Sequence, residues 1–122
     1  MVISPRHRIV NIPMALQSGR TTAAEILLFG YHKLGINALL VVYSDAVRQE
    51  LSTRRGIPIE LIVAIGQVEN RPPAEIYIID DISYIHLHYE KYGFKINNIP
   101  DYLALKTADY PLGKVFMFTD LP

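Results

Sequence analysis

Apolar residues fall along this chain in two kinds of run: short unbroken stretches, and longer ones in which they return every three or four positions. The first short run, Arg8-Ile9-Val10-Asn11-Ile12-Pro13, is rich in β-branched residues and gives way to a polar turn containing Gly19, which predicts a strand and then a loop. Over residues 21–34, Ala24, Leu27, Leu28, Tyr31 and Leu34 recur at helical spacing and Gly35 supplies a stop, so a helix begins at the turn itself. Residues 38–43 are apolar throughout, the pattern of a strand covered on both faces, and Ser44 is placed to cap a helix running to Arg55. Residues 59–65 read as a further strand, Asn70-Arg71-Pro72-Pro73 breaks the chain, and Ile76-Tyr77-Ile78-Ile79 is an apolar strand ending in Asp80-Asp81. Between 82 and 105 the pattern predicts a helix, a break at Gly93 and a short helix after Pro100, and Lys114-Val115-Phe116-Met117-Phe118 forms a last strand.

Strands that are apolar throughout and alternate with helices predict an α/β fold, a three-layer parallel sheet with helices on both faces and right-handed crossovers. In such sheets ligands bind at the carboxyl ends of the strands. The 122 residues fit one domain, 1–122, and half of them are apolar, enough to bury a core. The formal charge is zero, so any contact with nucleic acid or an acidic membrane surface has to be local. There is no cysteine, which removes disulfides and thiolate chemistry and makes a reducing, cytoplasmic setting the default expectation. No run approaches the ~18 apolar residues of a membrane span, and the N-terminal residues lack the apolar core of a signal peptide.

Candidate chemistry lies in the loop between the first strand and the first helix. A P-loop has the pattern G-x-x-x-x-G-K-[ST] in that position: backbone N–H groups and the helix N-terminus hold phosphates, the lysine reaches the terminal ones and the hydroxyl binds Mg²⁺. Met14-Ala15-Leu16-Gln17-Ser18-Gly19-Arg20-Thr21 stands there in this chain, with the context and the hydroxyl of the pattern but methionine for its first glycine and arginine for its lysine. Asp80, at the end of an apolar strand, is the carboxylate that such a Mg²⁺ site requires near the Thr21 hydroxyl.

In the order and spacing of these pieces the sequence resembles the ATPase core of phage-type large terminases and, more distantly, of superfamily helicases. The likeness is carried by Gln17-Ser18-Gly19-Arg20-Thr21-Thr22 leading into a helix, by 39–44 and 76–81, and by Val115-Phe116-Met117-Phe118-Thr119 as a coupling strand. The resemblance implies a minimal RecA-like P-loop NTPase core that binds Mg²⁺ and ATP, with Asp80-Asp81 as its Walker B motif. It further implies that Gln17, Ser18, Gly19, Arg20, Thr21 and Thr22 cradle the phosphates and that Thr21 and Asp80 hold the metal. Asp81 then stands in the catalytic-acid position and Thr119 where the γ-phosphate is sensed. A viral or mobile-element origin, a host cytoplasmic location, DNA as a further partner, and a homo-oligomer or larger motor partner supplying a trans arginine belong to the same implication.

Arg20 is longer and more planar than lysine, and Asp81 is one methylene shorter than the usual glutamate, so ATP hydrolysis is expected to be slow. The alternative is a catalytically decayed pseudo-NTPase that acts as a protein-interaction or nucleic-acid-binding module. Arg48, Arg54 and Arg55 read as a solvated helix face, and neither they nor Arg71 receives a role. His86 and His88 lack a third metal ligand, the tyrosines read as packing, and Arg6-His7-Arg8 reads as a solvated basic terminus.

Overall fold

The structure is a computed structural model that describes residues 5–15, 19–80 and 99–119. Its strands are β1 (Ile9–Pro13), β2 (Ala38–Val42), β3 (Ile62–Ala64), β4 (Ile76–Ile79) and β5 (Lys114–Thr119), and its helices are α1 (Arg20–Lys33), α2 (Asp45–Arg55) and α3 (Ile99–Lys106). The strands form one sheet in the order β1-β5-β4-β2-β3, and every neighbouring pair is parallel. The α/β class and the parallel sheet expected from the sequence are therefore present.

The unbroken apolar strands have the physical reason expected of them, because both faces of the sheet are covered. Ala38, Leu40, Val42, Ile62, Ile76, Ile78 and Phe118 pack on one face with Ala24 and Leu28 of α1 and Leu51 of α2. Leu39, Val41, Val63, Tyr77, Ile79 and Val115 pack on the other with Ile99, Leu103 and Ala104 of α3. Successive residues of one strand serve opposite cores, as the pleat requires. The edge strand β1 is only partly buried, and Pro13 at its end needs no ladder donor.

Three local expectations are corrected. Residues 59–65 are not one strand: Ile59–Leu61 is a 3-10 turn, only Ile62–Ala64 pairs with β2, and a second 3-10 turn covers Ile65–Asn70. The guanidinium groups of Arg48 and Arg71 compete for this backbone, donating to the carbonyls of Ile59, Glu60 and Ile62. The short helix near Pro100 begins at Ile99 and contains the proline in its first turn, where a missing N–H costs nothing. Arg8 is not part of a solvated terminus, since its Nη1 donates to the Thr107 carbonyl at 3.0 Å and to the Tyr110 carbonyl. The expected helix holding His86 and His88, the Gly93 break, and Tyr84, Tyr89 and Tyr92 lie outside the described residues.

Candidate functional site

The loop after β1, the end of β4 and the end of β5 meet at one edge of the sheet because the strands run in parallel and in register. Pro13 is level with Thr119, and Met117, two residues before Thr119, is level with Ile79. The Met14 amide continues this pairing by donating to the Thr119 carbonyl at 2.8 Å. With β5 between them, β1 and β4 are two strand spacings apart, about 10 Å. Helix α1 closes that gap by starting beyond β1 and packing Ala24 and Leu28 against the face that holds Ile76 and Ile78.

The first turn of α1 is opened by Gly19, whose φ of 93° lies in the left-handed region that glycine enters without steric cost. Among the described residues no side chain caps this end and no acidic residue lies in the first turn, so the amides at the start of the helix point out of its N-terminal end. From this turn the Thr21 hydroxyl donates to Asp80 Oδ1 at 3.2 Å, with Oδ2 at 3.5 Å. A backbone bond from the Asp80 amide to the Val41 carbonyl, at 3.4 Å, runs from the same residue to the neighbouring β2.

These oxygens suit Mg²⁺ in both kind and spacing. Two adjacent ligands of an octahedral ion bound at ~2.1 Å are about 3 Å apart, and Mg²⁺ takes hard oxygen donors, usually one or two from protein and the rest from water and phosphate. Among the described residues no three His, Cys, Asp or Glu side chains cluster as a metal cage. The arrangement provides a hydroxyl and a carboxylate beside a helix N-terminus, which is a donor set for a cation carried in with an anion.

Arg20 is directed elsewhere. Its Nε donates to the Met14 carbonyl at 3.0 Å and its Nη2 donates to the same oxygen, so the side chain folds back along the loop and ties its beginning to its end. Thr22 stands one residue further on, and its hydroxyl accepts from Arg55 Nη2 at 2.9 Å. Thr119 reaches the same edge, where its carbonyl receives the Met14 amide. Thus Gly19, Arg20, Thr21, Thr22, Asp80 and Thr119 are gathered at one edge, while Gln17, Ser18 and Asp81 lie outside the described residues.

Sequence reasoning missed Arg55. Although it ends α2, it forms a fork with Glu25 of α1, Nε to Oε1 and Nη2 to Oε2, the latter at 3.2 Å. The hydrogen bonds that Arg55 donates to the Glu25 carboxylate raise its pKa above the usual value, and the charges of Glu25 and Asp80 act in the same direction. The available signal was the spacing of Thr22 and Glu25, three residues apart on one helix and therefore on one face. Of the helix-face arginines, only Arg54 matches expectation, with an exposed pairing to Glu50. No family model matches the chain, and neither a curated protein nor a solved structure matches it.

Proposed function

We propose that this protein binds Mg²⁺–ATP at the turn between β1 and α1, as a P-loop nucleotide-binding protein with slow hydrolysis. The observation that carries this reading is the 3.2 Å contact between Thr21 and Asp80, residues 59 apart in sequence. Both residues are partly buried, and they bring a hydroxyl at a helix N-terminus against a carboxylate at a strand end. Together they would supply two of the six ligands of an octahedral Mg²⁺ beside amides suited to phosphate. The position of Thr119, on the strand between the loop strand and the acidic strand, supports a sensing role in the same reading.

A second reading has its own observation. With Nε and Nη2 of Arg20 on the Met14 carbonyl, the residue in the lysine position closes the loop. That favours a protein that holds nucleotide without turning it over, a decayed NTPase serving as an interaction module. Titration with a fluorescent ATP analogue in Mg²⁺ and in EDTA tests both readings. Saturable binding that needs Mg²⁺ and is lost in Thr21→Val and Asp80→Asn supports the nucleotide site, and phosphate release in the same samples separates slow turnover from none. Absence of binding in the unmodified protein contradicts both the ATPase and the nucleotide-holding form.

A further inference from the structure

A cradle for a polyphosphate needs fixed positive charge, and most of the described arginines are committed away from the N-terminus of α1. Arg8 holds the carbonyls of Thr107 and Tyr110, Arg48 and Arg71 hold the 3-10 turn before β3, and Arg54 pairs with Glu50. Arg20 stands at that N-terminus but directs Nε and Nη2 to Met14. Arg55 arrives from another element. Its Nη2 is 2.9 Å from the Thr22 hydroxyl, next in sequence to the residue that meets Asp80, and its fork is engaged by the Glu25 carboxylate.

Resting on the Mg²⁺–ATP reading, we propose that Arg55 is the phosphate-contacting cation of this site, held ready over Thr22 by Glu25 and transferred from that carboxylate to the phosphate chain when nucleotide binds. Guanidinium forks match carboxylate and phosphate alike, and a phosphate group offers more charge and more acceptor oxygens than the glutamate it displaces. The side chains of Arg55 and Glu25 are 26% and 18% exposed, so the pair is open enough to exchange partners yet shielded enough for charge to count. Glu25 is then a positioning residue, and Arg20 a clasp of the loop.

The test is the affinity of the full chain for Mg²⁺–ATP in Arg55→Gln, Arg55→Lys and Glu25→Gln, each measured well below its own melting temperature. Loss of a charged hydrogen bond to phosphate is expected to weaken Arg55→Gln by about tenfold or more, with a shallower salt dependence and partial recovery in Arg55→Lys. Glu25→Gln is expected to bind as tightly as the unmodified protein or more tightly, because it frees the cation and removes a competing anion. A purely structural tie between α1 and α2 predicts the opposite for this pair: both variants lower the melting temperature alike and change affinity in the same direction. Equal affinity in Arg55→Gln, or equal weakening in Arg55→Gln and Glu25→Gln, overturns the role of Arg55. If the unmodified protein binds no Mg²⁺–ATP, the nucleotide reading itself falls; if it binds and Arg55→Gln binds equally, only the role of Arg55 does.

Discussion

Gly113 shows how tightly one position can be bound to the rest of the molecule. A Cβ there would lie 2.6 Å from Arg8 Nη1 and 2.6 Å from Thr107 Cβ. Neither neighbour yields cheaply, because Arg8 Nη1 also donates to the Thr107 carbonyl, and the buried Thr107 hydroxyl donates to the Ala104 carbonyl at 2.7 Å. Gly113→Ala is therefore expected to lose about 1–3 kcal/mol, read as a lower denaturation midpoint in urea at unchanged slope. An unchanged midpoint would show that this turn relaxes freely. Thr21 and Asp80 were readable at the same level of detail, since each is named by residue type and by its place at an element's end. The partner of Arg20 was not, because arginine in the lysine position says nothing of a backbone carbonyl six residues earlier.

Helices are set by local signals that the sequence displays openly, and these give predictions of opposite sign. Ser44 is extended, with φ and ψ of −149° and 162°, and its hydroxyl accepts from the Val47 amide at 3.2 Å, so Ser44→Ala is expected to cost about 1 kcal/mol. Gly30 lies inside α1, exposed, with nothing within 4 Å of an added Cβ. Gly30→Ala is expected to add roughly 0.5–1 kcal/mol by reducing the freedom of the unfolded chain. Thermal unfolding of the two variants should shift in opposite directions; equal shifts would mean that packing rather than the cap and the glycine sets these helices. The caps were legible because they act within three or four residues. The segment 59–65 was misread because what shortens its strand comes from elsewhere in the chain: Arg48 on α2 and Arg71, eleven residues beyond Glu60, take its carbonyls. Arg55 escaped notice for the same reason, its partners being 30 and 33 residues away.

Across the whole molecule the sheet order sets which strand ends are neighbours. Chain order gives β1, β2, β3, β4, β5, whereas the sheet places β5 between β1 and β4, so the loop, Asp80 and Thr119 share one edge. The balance of charge has its own consequence. Burial raises the pKa of the Tyr31, Tyr77 and Tyr102 hydroxyls above their ordinary value near 10. The folded protein thus favours their neutral forms: this contribution to stability is complete below the unfolded tyrosine pKa and is lost as pH rises through the raised folded values. Hydrogen bonds from Gln67, Gln49 and Arg48 lower the Asp45 pKa, so its contribution is present above the usual aspartate range and is lost as pH falls through the depressed value. Urea unfolding across pH should show a plateau at neutrality falling on both sides, with the alkaline fall above pH 10 softened in Tyr77→Phe.

The measurement that bears hardest on the site is thermal unfolding of the unmodified protein and of Asp80→Asn, each with millimolar ATP in the presence and absence of Mg²⁺. Ligand at ~100 times its dissociation constant adds roughly 2.7 kcal/mol, a rise of roughly 10 °C for a domain of this size. A working site predicts that rise in the unmodified protein only when Mg²⁺ is present, and its disappearance in Asp80→Asn. No rise at any accessible ATP concentration, or the same rise in both proteins, would contradict a Mg²⁺–nucleotide site built on Thr21 and Asp80.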